Sequence, residues 1–141
     1  MVISTYQAIL LHAKAYRILR VDLSKMLKPF HISLPEWSTI EIIAKTPRIR
    51  GTELAHELGV EIPMVTMLLK QLEEKEYILR SATTGDKRSR TIVLTETGTA
   101  LVHNVDLALR SQLPEYFQDI PVDDMRAHVR VLEKIIVNHS S

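Results

Sequence analysis

A chain of 141 residues with a formal net charge of +1 has the length of one domain, and any contact with a polyanion must rest on local charge. It has no cysteine, which excludes disulfides, thiolate metal sites, cysteine nucleophiles and thiol switches; 45% hydrophobic and 25% charged residues are ordinary for a soluble globular protein. No apolar run approaches the roughly 20 residues of a membrane span, and the N-terminal stretch lacks a basic region and small-residue cleavage site, so a soluble cytoplasmic protein is expected.

In chain order, apolar residues at Ile9, Ala13, Tyr16, Leu23 and Leu27 recur at helical spacing, which predicts a helix from about Ile3 to Lys28, stopped by Pro29. At 1.5 Å per residue it would run roughly 40 Å, longer than a small core needs, and long terminal helices often find a partner. Pro35 suits the first turn of a second helix, "LPEWSTIEIIAK". Thr52 is expected to cap a third, "GTELAHELGV", with an apolar face at Leu54, Ala55 and Leu58 and a left-handed stop at Gly59. A fourth helical run, "IPMVTMLLKQLEEKEY", places Val65, Leu68, Leu69 and Leu72 on one face. The period then changes: "YILRS" and "RTIVLT" are β-branched and flank the loop "ATTGDKRS", a hairpin. Thr95 and Glu96 suit the start of a fifth helix, which Pro114 is expected to kink or end; a sixth begins near Pro121 and ends at Asn138 or His139.

The third and fourth helices, joined at Gly59, suggest a helix-turn-helix in which Ala55 lets the helices cross closely and Val60 and Val65 fill the angle between them. Two packed helices of an all-α domain would give the same pattern. The basic hairpin that follows favours a winged helix, so the expected fold class is mainly α with a small β-hairpin wing.

With those elements in place, "LEEKEYILRSATTGDKRSRTIVLTETG" resembles the signature of MarR-type transcriptional regulators. The matching parts are Leu72 to Lys75, Arg80, Asp86-Lys87-Arg88, and Leu94-Thr95 with Gly98. The resemblance implies one domain over 1–141, with a winged helix-turn-helix at 30–98 and helical dimerisation segments at 1–29 and 99–141. It also implies a homodimer that binds a pseudo-palindromic operator in double-stranded DNA, a repressor under the control of a small aromatic effector. The alternative is a winged-helix dimer that binds a protein or small ligand, with weak DNA binding or none.

The wing is expected to send Arg88 into a narrow minor groove, with Lys87 and Arg90 near phosphates and Asp86 bracing the loop against Arg80 or Arg90. On the fourth helix, Pro63, Thr66, Met67 and Lys70 lie opposite the buried face, with Gln71 and Met64 on the flank; Gln71 is the one candidate for a bidentate base contact. Thr52 and the free amides of its helix start can meet a phosphate. The family commonly has serines and an arginine where Pro63 and Met67 stand, and a glycine at the helix exit occupied by Glu76. By position, His12, Tyr16, Arg17 and Trp37 are candidates to line an effector pocket, against the simpler reading of Tyr16 and Trp37 as core. The six histidines show no four-residue pair, and no phosphate loop or nucleophile elbow appears, so neither a metal, a cofactor nor an enzyme is expected.

Overall fold

The computed structural model describes residues 4–81 and 90–140. Asp86, Lys87 and Arg88 lie outside the described residues. By its contacts the chain falls into two compact units, Met1–Ala108 and Leu109–Ser141.

The first unit opens with α1, Thr5–Leu27, whose N-cap Ser4 forms a capping box with Gln7. A 3-10 turn at Lys28–Phe30 follows, with Pro29 in its first turn. Helix α2, Leu34–Lys45, starts on a second capping box, Ser33 with Glu36. Strand β1, Ile49–Arg50, was not foreseen; it leads directly into α3, Gly51–Leu58. Arg50, not Thr52, is the N-cap of α3: its amide donates to Glu53 Oε1 at 3.4 Å, so Glu53 reaches back to the cap position and Thr52 lies inside the helix. Gly59 takes the left-handed conformation expected of it, with φ +68.

After the turn come α4, Ile62–Glu74, strands β2, Ile78–Arg80, and β3, Thr91–Leu94, and α5, Glu96–Tyr116. Both outer strands of the antiparallel sheet pair with β3, which is central: Ile78 faces Leu94, Arg80 faces Ile92, and Ile49 also faces Ile92. The core of this unit gathers residues from its helices and from all three strands, including Leu27, Ile40, Ile49, Leu54, Leu72, Ile78 and Ile92. Ala55 and Val65 are buried between the crossing helices as expected, but Val60 stands 37% exposed and does not fill the angle between them.

The exit of α4 is built on backbone hydrogen bonds. Tyr77 N–H donates to Leu72 O at 3.0 Å and Glu76 N–H to Glu73 O at 2.9 Å, the paired bonds of a Schellman ending. Glu76 occupies the left-handed position with φ +63, so the glycine-type cap is kept with a residue that carries a Cβ. Glu76→Gly is therefore expected to raise stability by about 0.5–1 kcal/mol, the strain relieved less the added freedom of the unfolded chain. A urea midpoint lower than that of the parent would show that no strain resides there.

Helix α5 runs past Pro114 to Tyr116, so the proline does not end it there. In the second unit, α6, Val122–His139, carries Asp123 and Asp124 in its first turn and His139 in its last, as the helix dipole favours. None of its side chains is buried, and Val129, Val131, Ile135 and Ile136 are exposed. In the first unit α1 buries only Met26 and Leu27 of its last turn and leaves Tyr6, Ile9, Leu10 and Leu11 exposed.

Candidate nucleic-acid interface

Helix α4 buries Val65, Leu68, Leu69 and Leu72 and turns Pro63, Thr66, Met67 and Lys70 outward, as the 100° spacing requires. Its start is shaped by Pro63 in the first turn and by Glu61 as N-cap, which makes no side-chain capping bond. The Thr66 hydroxyl donates to Ile62 O at 3.1 Å. Its proton is thus used inside the helix, and the lone pairs and the methyl remain for a ligand.

The two flanks of α4 differ. On one, a hollow of about 390 Å³ between α3, α4 and the sheet brings together Thr52, Thr66, Arg80 and Arg90 over a floor of Val65 and Ile92. Arg80 forms an ion pair through its Nε with Glu73 of α4, a partner that sequence reading missed. The pair ties β2 to α4. Ser81 N–H donates to Thr91 O at 2.9 Å, continuing the strand pairing toward the loop.

On the other flank, Gln71 is half-buried and lines a hollow with Ser33, Glu36, Glu74 and Lys75, away from Pro63 and Thr66. Here Lys75 Nζ donates to Glu36 Oε2 and to His31 O, each at 2.8 Å. Burial alone would push the Glu36 carboxyl up. The hydrogen bond from Lys75, those from Ser33 and the charge of Lys75 outweigh it and hold the group below its ordinary 4.5.

The four effector-pocket candidates are not alike. Trp37 is 5% exposed, a core residue, while His12, Tyr16 and Arg17 are exposed on α1. The hollow beside the end of α1, about 590 Å³, is instead lined by Arg20, Val21, Lys25, Lys28, His31 and Ile32 among others. Among the described residues no group of three or more His, Asp or Glu side chains is arranged to hold a metal ion, and no helix is long and apolar enough to cross a membrane.

The known proteins similar to this chain agree with that geometry. Residues 32–89 match the model of the MarR family. Among solved structures, a MarR-family transcriptional regulator of Rhodococcus sp. RHA1 is similar with TM-score 0.84 at 18% identity, covering 94% of this chain and 96% of that one. Staphylococcus aureus MarR, solved with salicylate and kanamycin, gives 0.81 at 24% identity, covering 93% and 89%. Staphylococcus aureus MepR, solved in complex with DNA, gives 0.77 at 19% identity, covering 96% of each chain. At such identities the structural likeness speaks for the fold.

Proposed function

Because residues 32–89 of this chain match the model of the MarR family and most of its length takes the fold of solved MarR-type regulators, we propose that it is a sequence-specific DNA-binding transcriptional regulator, a cytoplasmic dimeric repressor released by a small-molecule effector. The observation that carries this reading is the surface of the first unit: the outward face of α4 with Lys70, bordered by a hollow that collects Thr52, Thr66, Arg80 and Arg90. MepR supports it as a protein of the same fold solved on DNA, and MarR as one solved with salicylate, an aromatic acid.

In this reading residues 30–98 meet DNA and the segments 1–29 and 99–141 hold two copies together. The exposed apolar side chains of α1 and of α6, each considered alone, support that pairing, since water contact is costly for them and a partner helix removes it. Two copies of α4 then enter successive major grooves about one helical turn apart. Arg88, with Lys87 beside it, is assigned to the flanking minor groove and Asp86 to bracing the loop, on the strength of the sequence. The effector contacts are proposed among His12, Tyr16 and Arg17; Trp37 serves the core. An effector that changes the separation of the two copies of α4 would release the operator. An enzymatic role is not proposed, since no catalytic constellation can be named.

Filter binding across a salt series tests this. Affinity is expected to fall steeply as salt rises, because each phosphate contact releases counterions. Lys70→Ala and Arg90→Ala are each expected to lower the slope of log K against log salt by about 1 if the side chain meets a phosphate. Binding to duplex DNA that does not respond to salt would remove the regulator reading. The exposed Met64 and Met67 favour the second reading, a protein-binding module, and that reading would then take its place.

A further inference from the structure

The outward surface of α4 is apolar where readers of base edges are ordinarily polar. Pro63 is exposed, and Met64 and Met67 are 43% and 46% exposed; with Val60 and Glu61 they line an open hollow of about 480 Å³. The Thr66 hydroxyl gives its proton to Ile62 O, so this side chain has no donor left for a base edge. Gln71, the residue of α4 able to bond an adenine bidentately, is half-buried on the flank toward Ser33 and Lys75. Lys70 is the single cation of α4 and shares the outward face with Met67.

The major groove of DNA has one apolar feature that differs between base pairs, the C5-methyl of thymine. Methionine is suited to cover it, being flexible, polarisable and tolerant of an irregular contact. We propose that α4 reads its half-site through methyl groups: Pro63, Met64, Met67 and the Thr66 methyl pack on thymines, while Lys70 contacts the adjoining phosphate or guanine. The inference rests on the regulator reading and names how its recognition helix chooses sequence. Thymine-bearing duplex is the occupant because the patch is continuous with a cationic border, Lys70 on the same face and Arg90 at its flank beside Thr66. Such a border matches the phosphates on either side of a groove.

The test uses the full chain and two random duplex libraries, one containing thymine and the other uracil throughout, taken through selection in parallel. Thymines are expected to be enriched under α4. Each thymine-to-uracil change there should weaken binding about four-fold, the factor for one buried methyl, with the salt slope unchanged because no phosphate contact is lost. In Met67→Ser, an exposed position whose change spares the core, the preference for thymine over uracil should fall to near unity at one of those positions. Equal binding of thymine and uracil duplexes overturns the inference while leaving the regulator reading intact, as does full discrimination retained in both Met67→Ser and Met64→Ser. Absence of salt-sensitive binding to either library overturns both, and the apolar face then belongs to a protein partner.

Discussion

Gly98→Ala is expected to destabilise the protein by about 1–3 kcal/mol, the range of a forced overlap in a packed site, lowering its melting temperature by roughly 3–12 °C. In most helices the same change helps, because alanine favours the helix over glycine by about 1 kcal/mol. Here a Cβ would stand 2.1 Å from Tyr77 O and 3.0 Å from Tyr77 C. The obstacle is backbone, and that backbone is tied in place. Tyr77 O accepts from Thr95 N–H at 3.0 Å, and Tyr77 N–H donates to Leu72 O at 3.0 Å. Thr95 Oγ1 donates to Glu76 O at 2.6 Å while accepting from Gly98 N–H at 2.9 Å. Relieving the overlap therefore breaks either the exit of α4 or the cap of α5. Since β2 starts at Ile78, the same junction fixes where the hairpin leaves α4, and on the proposed function DNA affinity should fall with stability. Gly51→Ala, with nothing within 4 Å of the added carbon, provides the contrast and should be neutral or slightly stabilising. Urea unfolding at one protein concentration, so that self-association is held constant, checks both. An unchanged midpoint in Gly98→Ala would mean that the two helix ends slide apart at little cost.

The parts of the fold that local chemistry dictates were legible in the sequence. The buried face of α4, the left-handed Gly59 and the Thr95 cap each follow from spacing or residue type within a few positions. What was missed depends on distant partners. Strand β1 has two residues and exists because β3, some forty positions on, pairs with it; no two-residue run announces a strand. The cap of α3 moved from Thr52 to Arg50 because Glu53 reaches back three positions, a signal present in the sequence but outweighed there by the better capping residue type. Gln71 sits at the margin of the outward arc, where a helical wheel cannot choose between groove and core; the packing of α2 decides it. Glu73 as the partner of Arg80 was invisible, since a helix residue and a strand residue meet only once the turn between them is known. The candidate site was thus readable as a surface, by which face of α4 turns outward, and not as a set of paired side chains.

Lys75→Met is expected to cost about 2–3 kcal/mol at neutral pH, below the ~3–5 kcal/mol typical of breaking a buried ion pair. The side chain of Glu36 is 7% exposed but that of Lys75 is 37% exposed, so water already screens part of the attraction. The pH dependence identifies the cause. Glu36 is held below its ordinary 4.5 in the folded protein, so the unfolded chain takes up the proton first as pH falls. The stability it contributes is complete above the ordinary carboxylate range and is lost as pH falls through 4.5 toward the folded value. Removing Lys75 leaves burial unopposed by its charge, and the carboxyl should move upward. The deficit of Lys75→Met relative to the parent should therefore be largest near neutrality and shrink as acid neutralises Glu36. Glu36→Gln should remove that slope. The double variant should lie above the sum of the two single losses, since neither side chain is then left charged and alone. Lys75 also donates to His31 O at 2.8 Å, which joins the turn before α2 to the last turn of α4. A deficit that stays constant from neutral to acid pH would assign the effect to that bond and to the packing of the lysine stem, and would take Glu36 out of the account.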